Sequence, residues 1–122
     1  MSETVTKVQT PGFRITGGKG FQITFDNGWC LSVQFGWGNY HSARFRKDFS
    51  STKMEEIDRE YGQLGSPDAE IAIFDPAGEM FNFGNDTVKG WVKPEEVAHW
   101  TNWVSDRLPN ERVDTVRRPF YA

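Results

Sequence analysis

Phe21-Gln22-Ile23-Thr24-Phe25-Asp26-Asn27-Gly28-Trp29-Cys30-Leu31-Ser32-Val33-Gln34-Phe35-Gly36-Trp37-Gly38-Asn39-Tyr40 is the stretch that decides the fold. Apolar residues stand at 21, 23 and 25, and again at 29, 31, 33 and 35. A period of two marks strands with one buried face. Asp26-Asn27-Gly28 lies between the two runs and supplies residues that tolerate positive φ, as a tight hairpin turn requires. The segment therefore reads as a β-hairpin that runs into an aromatic, glycine-spaced loop.

Further strands follow the same pattern on either side. Phe13 and Ile15 alternate with Arg14 and Thr16, which predicts a short first strand before a Gly17–Gly20 turn. Glu70-Ile71-Ala72-Ile73-Phe74 is predicted as a strand, and Asp75-Pro76-Ala77-Gly78 as a turn. Glu79–Phe83 is predicted as the returning strand, and Val88–Val92 as the last one. Pro94-Glu95-Glu96 opens a helix, because proline suits the first helical position and acids suit the positive end of the helix dipole. Val97, Trp100, Val104 and Leu108 form its core-facing stripe, widened by Trp103, and Pro109-Asn110 stops it. Thr52-Lys53-Met54-Glu55 matches a capping box, so 52–61 is read as a short helix or a partly ordered acidic loop. The expected fold class is α+β: an antiparallel five- to six-stranded sheet with one C-terminal helix packed on one face.

At 122 residues the chain is expected to be one domain, with a polar N-terminal arm at 1–10 and a basic, aromatic tail at 109–122. Aromatics make up 15% of the residues, more than so small a core can hide. That excess predicts a ligand site or a self-association surface, with a homo-oligomer, a dimer first, as the expected assembly. The net charge of −3 argues against a general nucleic-acid binder. Charge is uneven: residues 1–49 hold six Lys/Arg against three Asp/Glu, and residues 50–108 hold five against twelve. The two basic ends can form one positive patch that attracts an anion; the other reading is an ordinary mixed surface.

The common catalytic and metal constellations find little support. Cys30 is alone, so neither a disulfide nor a cysteine-based zinc site is expected, and it should lie on the sheet face opposite Trp29 and Leu31. The two histidines, His41 and His99, have no second ligand at metal-binding spacing, and His99 is expected in solvent. No Gly-x-Ser-x-Gly elbow accompanies Ser32, Ser42 or His41. Gly17-Gly18-Lys19-Gly20 leads into a strand and not the helix that a P-loop requires. No cofactor and no enzymatic activity are expected. No apolar run reaches membrane-spanning length and no signal-peptide core opens the chain, so a cytoplasmic location is expected.

One constellation remains. In the 37–47 loop, Trp37, Tyr40, Phe45 and Phe49 alternate with Asn39, His41, Arg44, Arg46 and Lys47. Aromatic faces stack on planar bases, and Arg gives bidentate contacts to phosphate. Asn39 offers donor and acceptor to a base edge or ribose. The candidate ligand-binding residues are Trp37, Asn39, Tyr40, His41, Arg44 and Arg46, joined by the tail residues Arg117 and Arg118. The alternative is that Trp37 and Phe45 plug the open end of the sheet and the arginines pair with the acids of 55–60.

Gly28-Trp29 running to Ser32-Val33-Gln34-Phe35-Gly36 and Gly38-Asn39-Tyr40, the strands at Ala69–Ala72 and Gly90-Trp91, and the helix opened by Pro94-Glu95-Glu96-Val97 carry a family resemblance. Over roughly residues 20–107 the chain resembles small accessory proteins of tailed phages and prophages. The resemblance implies a compact protein made in the host cytoplasm during infection, of a kind that counters host defence by binding a host protein or sequestering a nucleotide signal. It carries no functional residues over. The leading expectation is thus a non-enzymatic binder of a small anionic ligand; the alternative is a protein-interaction module that binds and modulates a host or phage protein.

Overall fold

Two turns of one geometry organise the sheet in the computed structural model, which describes residues 10–16, 20–35, 59 and 65–119. In the first, Phe25 N–H donates to Trp29 O at 2.9 Å and Gly28 N–H to Phe25 O at 2.8 Å. In the second, Asp75 N–H donates to Glu79 O at 2.9 Å and Gly78 N–H to Asp75 O at 2.8 Å. Both are three-residue loops closed by a glycine in the left-handed region, Gly28 at φ 87° and Gly78 at φ 85°. Asp26 and Asn27 were both expected to tolerate positive φ; only the glycine uses it. Asn27 has a different task, described below.

The sheet runs β1 (Gly12–Ile15), β2 (Gly20–Thr24), β3 (Cys30–Gln34), β4 (Ala69–Phe74) and β5 (Lys89–Val92), with spatial order equal to chain order and every neighbour antiparallel. The helix α1 (Pro94–Ser105) packs against β3 and β4. The α+β architecture is the one expected, with five strands.

Register explains the burial gradient across the sheet. Phe13, Ile23, Leu31 and Ile73 form one cross-strand row, and Ile15, Phe21, Val33 and Ile71 form the next. These rows lie on the helix-facing side. Leu31, Val33, Ile71 and Ile73 are buried beneath α1, Phe21 and Ile23 are half-buried, and Phe13 and Ile15 are exposed. Trp29, Phe81, Trp100 and Val104 complete the core, with Trp29 and Trp103 edge-on at 5.8 Å. Cys30 alternates onto the other face, as expected, where Thr24 is its cross-strand partner and both are buried. Desolvation pushes the Cys30 thiol above its ordinary pKa, against smaller lowering effects of a Thr24 hydrogen bond and the Arg14 charge.

Three local expectations need correction. Glu79–Phe83 is not a strand: only Met80 bridges Phe74, and Phe81 N–H donates to Ile73 O at 2.8 Å. The free edge of β4 is divided, its C-terminal end meeting Met80-Phe81 and its N-terminal end pairing with β5. Residues 82–88 therefore cannot continue the ladder. Leu108 is not on the helical stripe; α1 ends three residues earlier and Leu108 is 60% exposed. His99 is half-buried, with its ring edge-on to Trp100 at 5.3 Å, and not in solvent. The helix proposed at 52–61 lies outside the described residues except for Arg59, which is helical.

Candidate functional site

Asn27 and Asp75 set the geometry of the chain's C-terminal third. Asn27 Nδ2 donates to Val104 O at 2.9 Å and Arg107 O at 2.7 Å, satisfying carbonyls at the C-terminal end of α1, while its Oδ1 accepts Trp29 N–H at 2.9 Å. The first hairpin turn thereby holds the helix end. Beyond it, Arg107 lies over the Trp103 ring at 4.4 Å and donates through Nε to Trp103 O. Glu111 Oε1 accepts Leu108 N–H, and the chain turns again as Thr115 N–H and Val116 N–H donate to Arg112 O.

The second hairpin turn holds this returning segment. Asp75 is buried; its Oδ1 accepts Ala77 and Glu79 N–H within its own turn, and its Oδ2 accepts Val113 N–H at 3.0 Å. A single carboxylate thus ties 113–118 to the end of β4. Opposite, Phe81 is buried and packs edge-on to Phe83 at 5.3 Å, and Asn82 Oδ1 accepts Gly84 N–H in the turn that follows.

Between these two segments lies an open groove of about 630 Å³. Val113 and Val116 supply its apolar wall over the buried Phe81, and Asn82, Arg117 and Arg118 its polar side. Gly84 sits at φ 131°, and a Cβ there would stand 2.6 Å from Arg118 Nη1. The Arg118 guanidinium therefore lies directly against the Gly84 backbone. Arg117 and Arg118 are exposed and have no ion-pair partner among the described residues. Two guanidiniums beside an apolar wall, neither paired with a described acid, can hold a phosphate or carboxylate bidentately while a ring lies on the wall.

Arg117 and Arg118 are thus the two expected site residues that the structure places, and they share one groove. Trp37, Asn39, Tyr40, His41, Arg44 and Arg46 lie outside the described residues. The sequence reading missed Phe81, Asn82, Val113 and Val116. Nothing local indicates that the tail folds back against Gly84-Asn85-Asp86; that contact depends on Asp75, some forty residues before Val113 in sequence. Among the described residues no three His, Cys, Asp or Glu side chains converge to hold a metal ion, and no helix is long and apolar enough to cross a membrane. No protein-family model matches the chain, and comparisons with curated proteins and with solved structures likewise give no match.

Proposed function

We propose that this protein binds a small anionic ligand, a nucleotide signal, in the groove between Phe81–Gly84 and Val113–Arg118, and holds it without transforming it. The observation that carries the reading is the pair Arg117 and Arg118, unpartnered by any described acid and set beside the apolar wall of Val113 and Val116. Stacking surface and charge clamp are what a planar anion needs in one place. The 37–46 residues, with Trp37, Tyr40, Arg44 and Arg46, are proposed to add a second stacking face and further charge. In keeping with its resemblance to phage accessory proteins, the protein acts in the host cytoplasm by sequestering the signal.

A thermal-shift screen with cyclic nucleotides and ADP-ribose derivatives tests this. A ligand at about 100 times its dissociation constant adds about 2.7 kcal/mol of stability. The shift should vanish in the Arg117→Ala/Arg118→Ala double variant. No shift with any member, or a shift that survives both substitutions, contradicts the proposal.

A second reading, a module that binds a host or phage protein, is favoured by Trp91. This residue lies on edge strand β5, is 56% exposed and has φ 54°. A left-handed backbone at a large aromatic residue costs on the order of 1–3 kcal/mol and tends to mark a functional surface. Loss of partner capture in Trp91→Ala, with nucleotide binding absent in the parent, would decide for this reading.

A further inference from the structure

The two edges of the sheet differ, and the difference points to a partner for one of them. At β5 the ladder is interrupted: Ala69 pairs with Val92 and Ile71 with Lys89, so β5 carries an extra residue and Trp91 turns to positive φ. A bulge beside lysines is a common way of preventing an edge from pairing further. At β1 there is no bulge; four residues pair in regular register with β2.

The direction of the free groups on β1 follows from one hydrogen bond. Thr16 N–H donates to Gly20 O at 3.0 Å. Antiparallel pairs alternate between those that exchange backbone hydrogen bonds and those that do not. Arg14↔Gln22 and Gly12↔Thr24 are therefore bonded pairs, and Phe13 and Ile15 turn their N–H and C=O groups away from β2, toward the open edge. The same two residues are 80% and 81% exposed on the helix-facing side, at the end of the core rows that run through Leu31 and Val33. Among the described residues no strand pairs with this edge, and its apolar side chains are open with it.

We infer that β1 is a self-association edge, whose occupant is β1 of a second copy of this chain, added antiparallel about a two-fold axis at Phe13. The strand is self-complementary in that register. Phe13 faces the partner's Phe13, Arg14 faces the partner's Gly12, and Ile15 faces the partner's Pro11. Each Phe13 N–H donates to the other Phe13 carbonyl, and each Ile15 N–H to the carbonyl of the opposite Pro11, which lacks an N–H and ends the ladder. A two-fold at Arg14 would instead set like charges directly opposite each other, which is unfavourable. The paired sheets form one continuous ten-stranded sheet, and the aromatic pair closes the helix-facing side across the axis. The contact is short and falls below the roughly 1,200 Å² of a standard interface, so the dimer is concentration-dependent.

The test is sedimentation velocity over a concentration series with the full-length chain and two variants, Phe13→Glu and Phe13→Lys. Residue 13 is exposed, so both variants keep the parent's unfolding midpoint. The parent should pass from a 14.0 kDa species to twice that mass as concentration rises. Each variant alone should dimerise at least ~10-fold more weakly, since it sets like charges across the axis. An equimolar mixture of the two should recover association, because Glu then faces Lys. A parent that stays monomeric throughout overturns the inference and leaves the edge to a strand from another protein. Undiminished dimerisation of Phe13→Glu, or a mixture no better than its components, overturns it too.

Discussion

Replacing Asn27 with alanine should destabilise the protein by about 2–5 kcal/mol. The figure follows from three backbone groups that each lose a hydrogen bond to Asn27. Trp29 is fully buried, so its N–H loses Oδ1 with no water to replace it, a loss of about 1–3 kcal/mol. Val104 O and Arg107 O lose Nδ2 but lie at a helix end where water reaches in part, about 0.5–1 kcal/mol each. For a chain of this length that is a fall in midpoint of roughly 8–20 °C. Asn27→Asp sharpens the test. It keeps an acceptor for Trp29 N–H but aims a negative charge at carbonyl oxygens and at the negative end of the α1 dipole, so it should be no more stable than the alanine variant. Urea unfolding followed by tryptophan fluorescence and by circular dichroism reads both, with m unchanged from the parent. An alanine variant within ~0.5 kcal/mol of the parent, or an aspartate variant as stable as the parent, would refute the clamp.

Three further outcomes are expected. Asp75→Ala frees the N–H groups of Ala77, Glu79 and Val113 together, so trypsin should cleave after Arg112 or Arg117 much faster than in the parent; unchanged cleavage would mean the tail is held by something else. Val33→Asp sets an unpaired charge beneath α1 and should abolish cooperative unfolding, so a soluble, cooperatively folded variant would disprove the register. The raised Cys30 pKa makes stability fall at alkaline pH, because the unfolded thiol ionises first, near pH ~8.5, while the folded thiol stays protonated. The contribution is intact below that pH and is lost as pH rises toward the folded value. Cys30→Ala should lack this decline, and identical pH profiles for the two proteins would argue against it.

The β2–β3 hairpin was legible because its two signals agree: a strict period of two, and an Asp-Asn-Gly turn between the runs. The helix start was legible from Pro94-Glu95-Glu96 for similar local reasons. Its end was not: Pro109-Asn110 placed it too late, and the carbonyls at its true end are taken by Asn27, far away in sequence. Phe81 and Phe83 misled because alternating aromatics suit a strand, yet both rings pack beneath α1 as Asn82 turns the chain. At the candidate site, charge composition pointed to Arg117 and Arg118 and no further. The apolar wall they share is built by long-range contacts through Asp75, which leave no periodic trace.

The measurement that bears most directly on the proposed function is a titration of the isotopically labelled protein with ADP-ribose and cyclic nucleotides, followed through its backbone amide signals. The account predicts saturable shifts concentrated at Phe81–Gly84 and Val113–Arg118, abolished by Arg117→Ala/Arg118→Ala and weakened by salt as charge contacts require. Shifts confined to β5 around Trp91, or no saturable shift with any of these ligands, would contradict it.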